Sequence, residues 1–145
     1  MRVLNREFDH PLEFEECASA PHAGGIMNQG YQCGILWGAP LAAGAQAYRL
    51  FGPGPQAETA AILAAQRLVE SFIARAKDIN CLEITHTDLQ KKGAMLKMML
   101  KGGPITCVRM VVGYAPEAYR AINTALSEVH IEASSPPVSC AALLA

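Results

Sequence analysis

Between residues 56 and 77 apolar side chains recur mostly every three or four positions: Ile62, Leu63, Leu68, Val69, Phe72 and Ile73. That period predicts an amphipathic helix. Pro55 suits its first position, where a missing N–H does no harm, and "GPGP" over residues 52–55 breaks whatever precedes it. Upstream, residues 32–51 predict a different kind of helix, made largely of small residues: Gly34, Gly38, Ala39, Ala42, Ala43, Gly44, Ala45 and Ala47. Each glycine weakens an exposed helix interior by roughly 1 kcal/mol against alanine. Such a helix needs strong tertiary packing, and its small surface lets another backbone or a cofactor come close. Pro40 predicts a kink.

The rest of the pattern is shorter-ranged. Residues 1–10 show no period and read as an irregular or extended lead-in. Pro11 opens a short helix carrying Leu12, Phe14 and Cys17, and Pro21 with Gly24-Gly25 ends it in a loop. Asn80 followed by Glu83 has the form of a capping box and predicts a helix start. Another helix is predicted from Thr87 or Asp88 to Gly102-Gly103. "ITCVRMVV", residues 105–112, has the β-branched content of a strand, but helix continuing toward Pro116 is favoured. From Pro116 to Val129 a further amphipathic helix puts Tyr119, Ile122, Ala125, Leu126 and Val129 on one side. The sum is an all-α fold, a compact bundle of about five helices with a Gly/Ala-rich central helix. One helical domain covers residues 1–133. Residues 134–145, "SSPPVSCAALLA", read as a tail or as the start of a truncated second unit.

Composition narrows the functional classes. The chain has 145 residues, about half of them apolar, enough for the core of one domain. A formal net charge of -1 argues against a nucleic-acid binder, which usually carries a basic excess. The N-terminus lacks the apolar stretch of a signal peptide. The most apolar run, residues 33–45, is shorter than the about 20 residues that a bilayer requires. A soluble, cytoplasmic protein with no membrane partner is expected, its cysteines reduced by default.

The five cysteines are Cys17, Cys33, Cys81, Cys107 and Cys140. None forms C-x-x-C, which excludes a zinc ribbon, a thioredoxin motif and covalent c-type haem. Four of them, Cys33, Cys81, Cys107 and Cys140, fall near predicted helix N-termini. Free N–H groups and the positive dipole end there favour a thiolate, the form that attacks disulfides and binds metal. The plain alternative is a small buried hydrophobe, which free cysteine often is. Cys17 with His22 and Cys81 with His86 share a C-x4-H spacing open to zinc, though such pairs also arise by chance. Met95, Met98 and Met99 read as a core face, with Lys91, Lys92, Lys97 and Lys101 on its solvated side. Tyr31 and Trp37 flank Cys33 and are as readily core aromatics as a shield for a redox centre.

"GGIMNQGYQCGILWGAPLAAG" followed by "DINCLEIT" resembles the C-GCAxxG-C-C family of redox-active proteins. Cys33-Gly34-Ile35-Leu36-Trp37-Gly38 matches the Cys-Gly-Ala-x-x-Gly motif, with Ile35 in place of the alanine. Asn80-Cys81-Leu82-Glu83 matches the second motif, and Cys107 suits the last cysteine. The family's first cysteine sits on a helix well before the glycine loop, whereas Cys17 lies seven residues ahead of Gly24. Cys140, in what looks like the start of that first helix, is the other candidate for the role. The family is also similar to the helical split-Soret cytochromes, whose haem attachment motif is missing here.

The resemblance implies a mainly α-helical, cysteine-based redox protein. With the placement of the cysteines, the expectation is electron transfer with a redox partner protein. Cys33, Cys81 and Cys107, with Cys17 or Cys140, would hold an iron–sulfur cluster. Without metal, Cys33 would be the low-pKa thiol of a dithiol pair, resolved by Cys81 or Cys107. The third alternative is a helical interaction module with inert cysteines, a homodimer through the Gly/Ala-rich helix.

Overall fold

The structure, a computed structural model, describes residues 1–100 and 102–134. Among them it is all-α: α1 (Arg2–Glu7), α2 (Glu13–Ala18), a 3-10 turn (Ala20–His22), α3 (Gly34–Phe51), α4 (Pro55–Ala76), α5 (Cys81–Thr85), α6 (Ala94–Leu100) and α7 (Gly103–Ser134). α3 packs chiefly on α4 and α4 on α7, while α1 touches both α3 and α7. Residues 135–145, the proposed tail with Cys140, lie outside the described residues.

The α3–α4 hairpin rests on alanine. Ala39, Ala42, Ala43 and Ala47 of α3 are buried in one core with Ala57, Ala60 and Ala64 of α4. Side chains this small let two axes approach to near the lower end of the usual range, about 8–10 Å. That close contact supplies the packing that the glycines of α3 require. It also corrects the stripe expected on α4. Leu68 and Phe72 are fully buried, but Ile62, Leu63 and Ile73 are exposed. Against a wall of small residues the alanines fit and the isoleucines do not, so the N-terminal half of α4 turns its alanine face inward.

Further along, α7 takes over as the partner of α4. The Tyr114 ring meets Phe72 edge-on at 5.2 Å, and its hydroxyl donates to the Leu68 carbonyl at 2.7 Å. Ile122, Ala125, Leu126 and Val129 are buried on the expected face, and half-buried Tyr119 stacks on Phe8 at 4.8 Å. Arg67 pairs with Glu128 and Arg75 with Glu117 across the same interface. These pairs are partly exposed and contribute little beyond register. The elements expected on either side of Pro116 form a single helix of 32 residues, in which the proline removes one backbone donor without ending the helix.

Two short elements differ from expectation. Residues 2–7 are helical, not extended, and Leu4 and Asn5 are buried. Glu16 of α2 ties them down: it accepts from Asn5 Nδ2 and from Arg2 Nε, both at 3.1 Å. Burial opposes its ionisation, but these donors and the Leu12 N–H hold its carboxyl below the ordinary value. Six residues carry too little periodicity to be read in advance, and a buried glutamate is not a pattern. α6 is shorter than predicted, and of the methionines expected on its core face Met99 is exposed while Met98 is half-buried.

The alanine interface makes a clear prediction. Ala60→Leu should destabilise the chain by about 1–3 kcal/mol through overpacking. Ile62→Ala, on the exposed side, should stay within about 0.5 kcal/mol. Chemical denaturation of the two variants checks both.

Candidate functional site

An antiparallel hairpin brings the start of its first helix back beside the end of its second. Here the flanking residues are joined. Gln32 and Asn80 form an isolated antiparallel bridge. On either side of it the Cys33 N–H donates to the Ile79 carbonyl and the Cys81 N–H to the Tyr31 carbonyl, both at 2.7 Å. Side chains alternate across extended backbone, so Cys33 and Cys81 lie on the same face of the bridge, opposite Gln32 and Asn80. Asn80 is the N-cap of α5 but makes no side-chain cap bond, so the capping box is not formed; its own N–H donates to Asp78 Oδ1 at 2.7 Å.

The loop before the bridge is unusual in its backbone. Gly24, Gly25, Ile26, Met27 and Asn28 are consecutive residues with φ between 52° and 71°. For L-residues this left-handed conformation costs about 1–2 kcal/mol each. The turn is held by backbone bonds, among them Met27 N–H to the Pro21 carbonyl at 2.8 Å and Tyr31 N–H to the Gly25 carbonyl at 3.1 Å. Gly25 is required at its position: a Cβ there would stand 2.3 Å from the Tyr31 carbonyl oxygen and 2.8 Å from the Cys81 Cβ. The loop therefore wraps directly against Cys81.

Cys33, Cys81 and Cys107 all line one cavity of about 640 Å³. Three elements deliver them. Cys33 is the N-cap of α3, Cys81 is the first residue of α5, and Cys107 lies in the second turn of α7. The remaining wall is mainly apolar, with Leu4, Ile35, Leu89, Met98, Val111 and Ala118. Cys33 and Cys81 are buried and Cys107 is half-buried. Cys17 is exposed and does not line the cavity.

The electrostatics run against the expected thiolate. Burial pushes the Cys33 thiol up from its ordinary value, and the N–H groups of Ile35 and Leu36 at the start of α3 only partly offset this. Cys81 is pushed up to about 11, by burial first and then by Cys33 and Cys107, with the Thr85 side chain opposing. Helix N-termini are where the spacing put them, yet desolvation outweighs the dipole. Cys33 is thus a buried neutral thiol, not a low-pKa one. Thr85, whose hydroxyl donates to the Cys81 carbonyl at 2.7 Å, and the α7 wall from Val111 to Ala118 were not singled out in the sequence. The apolar stretch 105–112 was a signal for the start of that wall only; Thr85 carried none. Among the described residues, no group of three or more His, Cys, Asp or Glu forms a single-ion site.

Two outcomes follow from this geometry. Gly25→Ala should destabilise the fold and displace Cys81, whereas Gly44→Ala, with nothing within 4 Å of the added Cβ, should stabilise α3 by about 0.5–1 kcal/mol; thermal denaturation compares them. The fold also favours the neutral Cys81 thiol. Its contribution is intact below the ordinary 9.0 and is lost as pH rises toward about 11. Iodoacetamide labelling read by mass spectrometry should modify exposed Cys17 at pH 8 and reach Cys81 only as the pH climbs through that window.

No membrane-crossing helix of sufficient length and apolarity occurs among the described residues. No curated protein and no solved structure gives a significant match to the chain. A family profile does: the one described as "Putative redox-active protein (C_GCAxxG_C_C)" matches residues 1–120. The matched span holds Cys17, Cys33, Cys81, Cys107 and every residue lining the cavity. The chain belongs to the C_GCAxxG_C_C family of redox-active proteins.

Proposed function

We propose that this redox protein works as a dithiol, with Cys33 and Cys81 as the pair that cycles between two thiols and one disulfide. The observation carrying this is the Gln32–Asn80 bridge, which sets both cysteines on one face and against one cavity. Oxidation forms the S–S bond and releases two protons and two electrons to an acceptor. Burial supports a pair shielded from solvent thiols, so that only an acceptor able to enter the cavity reacts quickly. Cys107 stands on the same wall, outside the bridge.

A second reading has one observation in its favour, the third cysteine. Thiolates of Cys33, Cys81 and Cys107 are the donor type that an iron–sulfur cluster takes, and the cluster would supply one-electron transfer. The described residues offer no single-ion site, so the three would have to hold a larger group across the cavity.

Diamide, a small two-electron oxidant, separates the two. Treated protein should lose two of its five thiols, with peptide mapping showing a Cys33–Cys81 disulfide that dithiothreitol reverses. Cys107→Ser should leave this intact. Unreacted Cys33 and Cys81 would sink the dithiol. Anaerobic reconstitution with iron and sulfide that gives a brown protein, bleached by Cys107→Ser, would establish the cluster instead.

A further inference from the structure

We propose that the cavity is a binding site for a neutral apolar quinone, which takes two electrons from Cys33 and Cys81. The proposal rests on the dithiol reading above and names its acceptor. At about 640 Å³ the cavity has the size of a small-molecule site, typically about 300–1,000 Å³. Its wall determines what enters. The charged groups there are the Met1 amino group and Arg2. The Arg2 guanidinium is paired with Glu16 at 3.1 Å, and burial moves the amino group toward its neutral form, with Glu16 opposing. A phosphate or carboxylate ligand would find no uncommitted guanidinium, and its desolvation would go uncompensated.

The polar side chains on the wall are largely committed as well. Ser19 Oγ donates to the Glu16 carbonyl at 2.7 Å, Thr85 Oγ1 to the Cys81 carbonyl at 2.7 Å, and the Tyr114 hydroxyl to the Leu68 carbonyl at 2.7 Å. His22 Nδ1 meets the Ser19 carbonyl at 3.1 Å. The side-chain donors left on the wall, the three thiols and the Asn28 amide N–H groups, suit one or two carbonyl oxygens on an otherwise apolar ring.

The redox step selects the same class. Net charge created in an apolar cavity is expensive. Two neutral thiols and a quinone exchange charge-neutrally. The S–H bonds of Cys33 and Cys81 break and their S–S bond forms. Both protons go to the quinone oxygens, and both electrons enter the ring, leaving a hydroquinone. No ion remains and no further reactant is needed. A one-electron acceptor would leave a thiyl radical, and an aqueous disulfide would need an ionised thiol.

The test uses the full chain, reduced and anaerobic, with 2,3-dimethyl-1,4-naphthoquinone, whose substituted ring leaves no open position for thiol addition. One quinone should bind per chain. Its absorbance should bleach by one equivalent of hydroquinone as the Cys33–Cys81 disulfide appears. Cys81→Ser should keep the binding and abolish the bleaching. Ala115→Phe, which fills the cavity, should weaken binding at least tenfold. Should that variant fail to fold, 2,3-dimethylnaphthalene must displace the quinone from the unaltered chain. If diamide makes the Cys33–Cys81 disulfide but the quinone neither binds nor bleaches, this inference is overturned and the dithiol stands. If neither oxidant makes the disulfide, both are overturned.

Discussion

Two backbone hydrogen bonds, one on each side of the Gln32–Asn80 bridge, hold the site together. They close the open end of the α3–α4 hairpin, and everything chemical hangs from that closure. Cys33 leads directly into α3, and Cys81 follows α4 by a few residues. Without the bridge, each cysteine would sit at the end of a separate connection. With it, both enter the same wall, and the loop around Gly25 is pressed onto Cys81. Backbone pairing does here what a larger sheet does elsewhere: it fixes register, and register decides which side chains share a face.

A balance between burial and helix dipole then sets the character of the thiols. Sulfur at a helix N-terminus is ordinarily a route to an ionised, reactive cysteine. The N-terminus of α3 does supply N–H groups to Cys33. The apolar wall supplied by α1, α3 and α7 is the larger influence. The dithiol proposed here, built this way, would discriminate by access and polarity more than by intrinsic thiol reactivity.

How much of this could be read from residues alone follows from the range of each interaction. α3 and α4 were legible to within two residues because proline and glycine mark their junction and local periodicity runs for many turns. The proximity of Cys33, Cys81 and Cys107 to helix starts was legible for the same reason. α1 was not, because it is held by Glu16 across the fold and has only six residues. The alanine face of α4 was not, because Ile62 and Leu63 carry the larger hydrophobic signal and only the neighbouring helix determines which side is inward. The direction of the thiol pKa values was beyond reach too, since desolvation depends on a cavity contributed by residues far apart in the chain.

The alanine seam between α3 and α4 has a consequence for dynamics. Alanine has no χ rotamers, so ordering Ala42, Ala43, Ala60 and Ala64 against one another forfeits no side-chain entropy. Nor can such a seam loosen by repacking, because it holds no alternative rotamers to adopt. The hairpin therefore behaves as a stiff frame. Any adjustment accompanying oxidation of the proposed Cys33–Cys81 pair would fall to the turns around it.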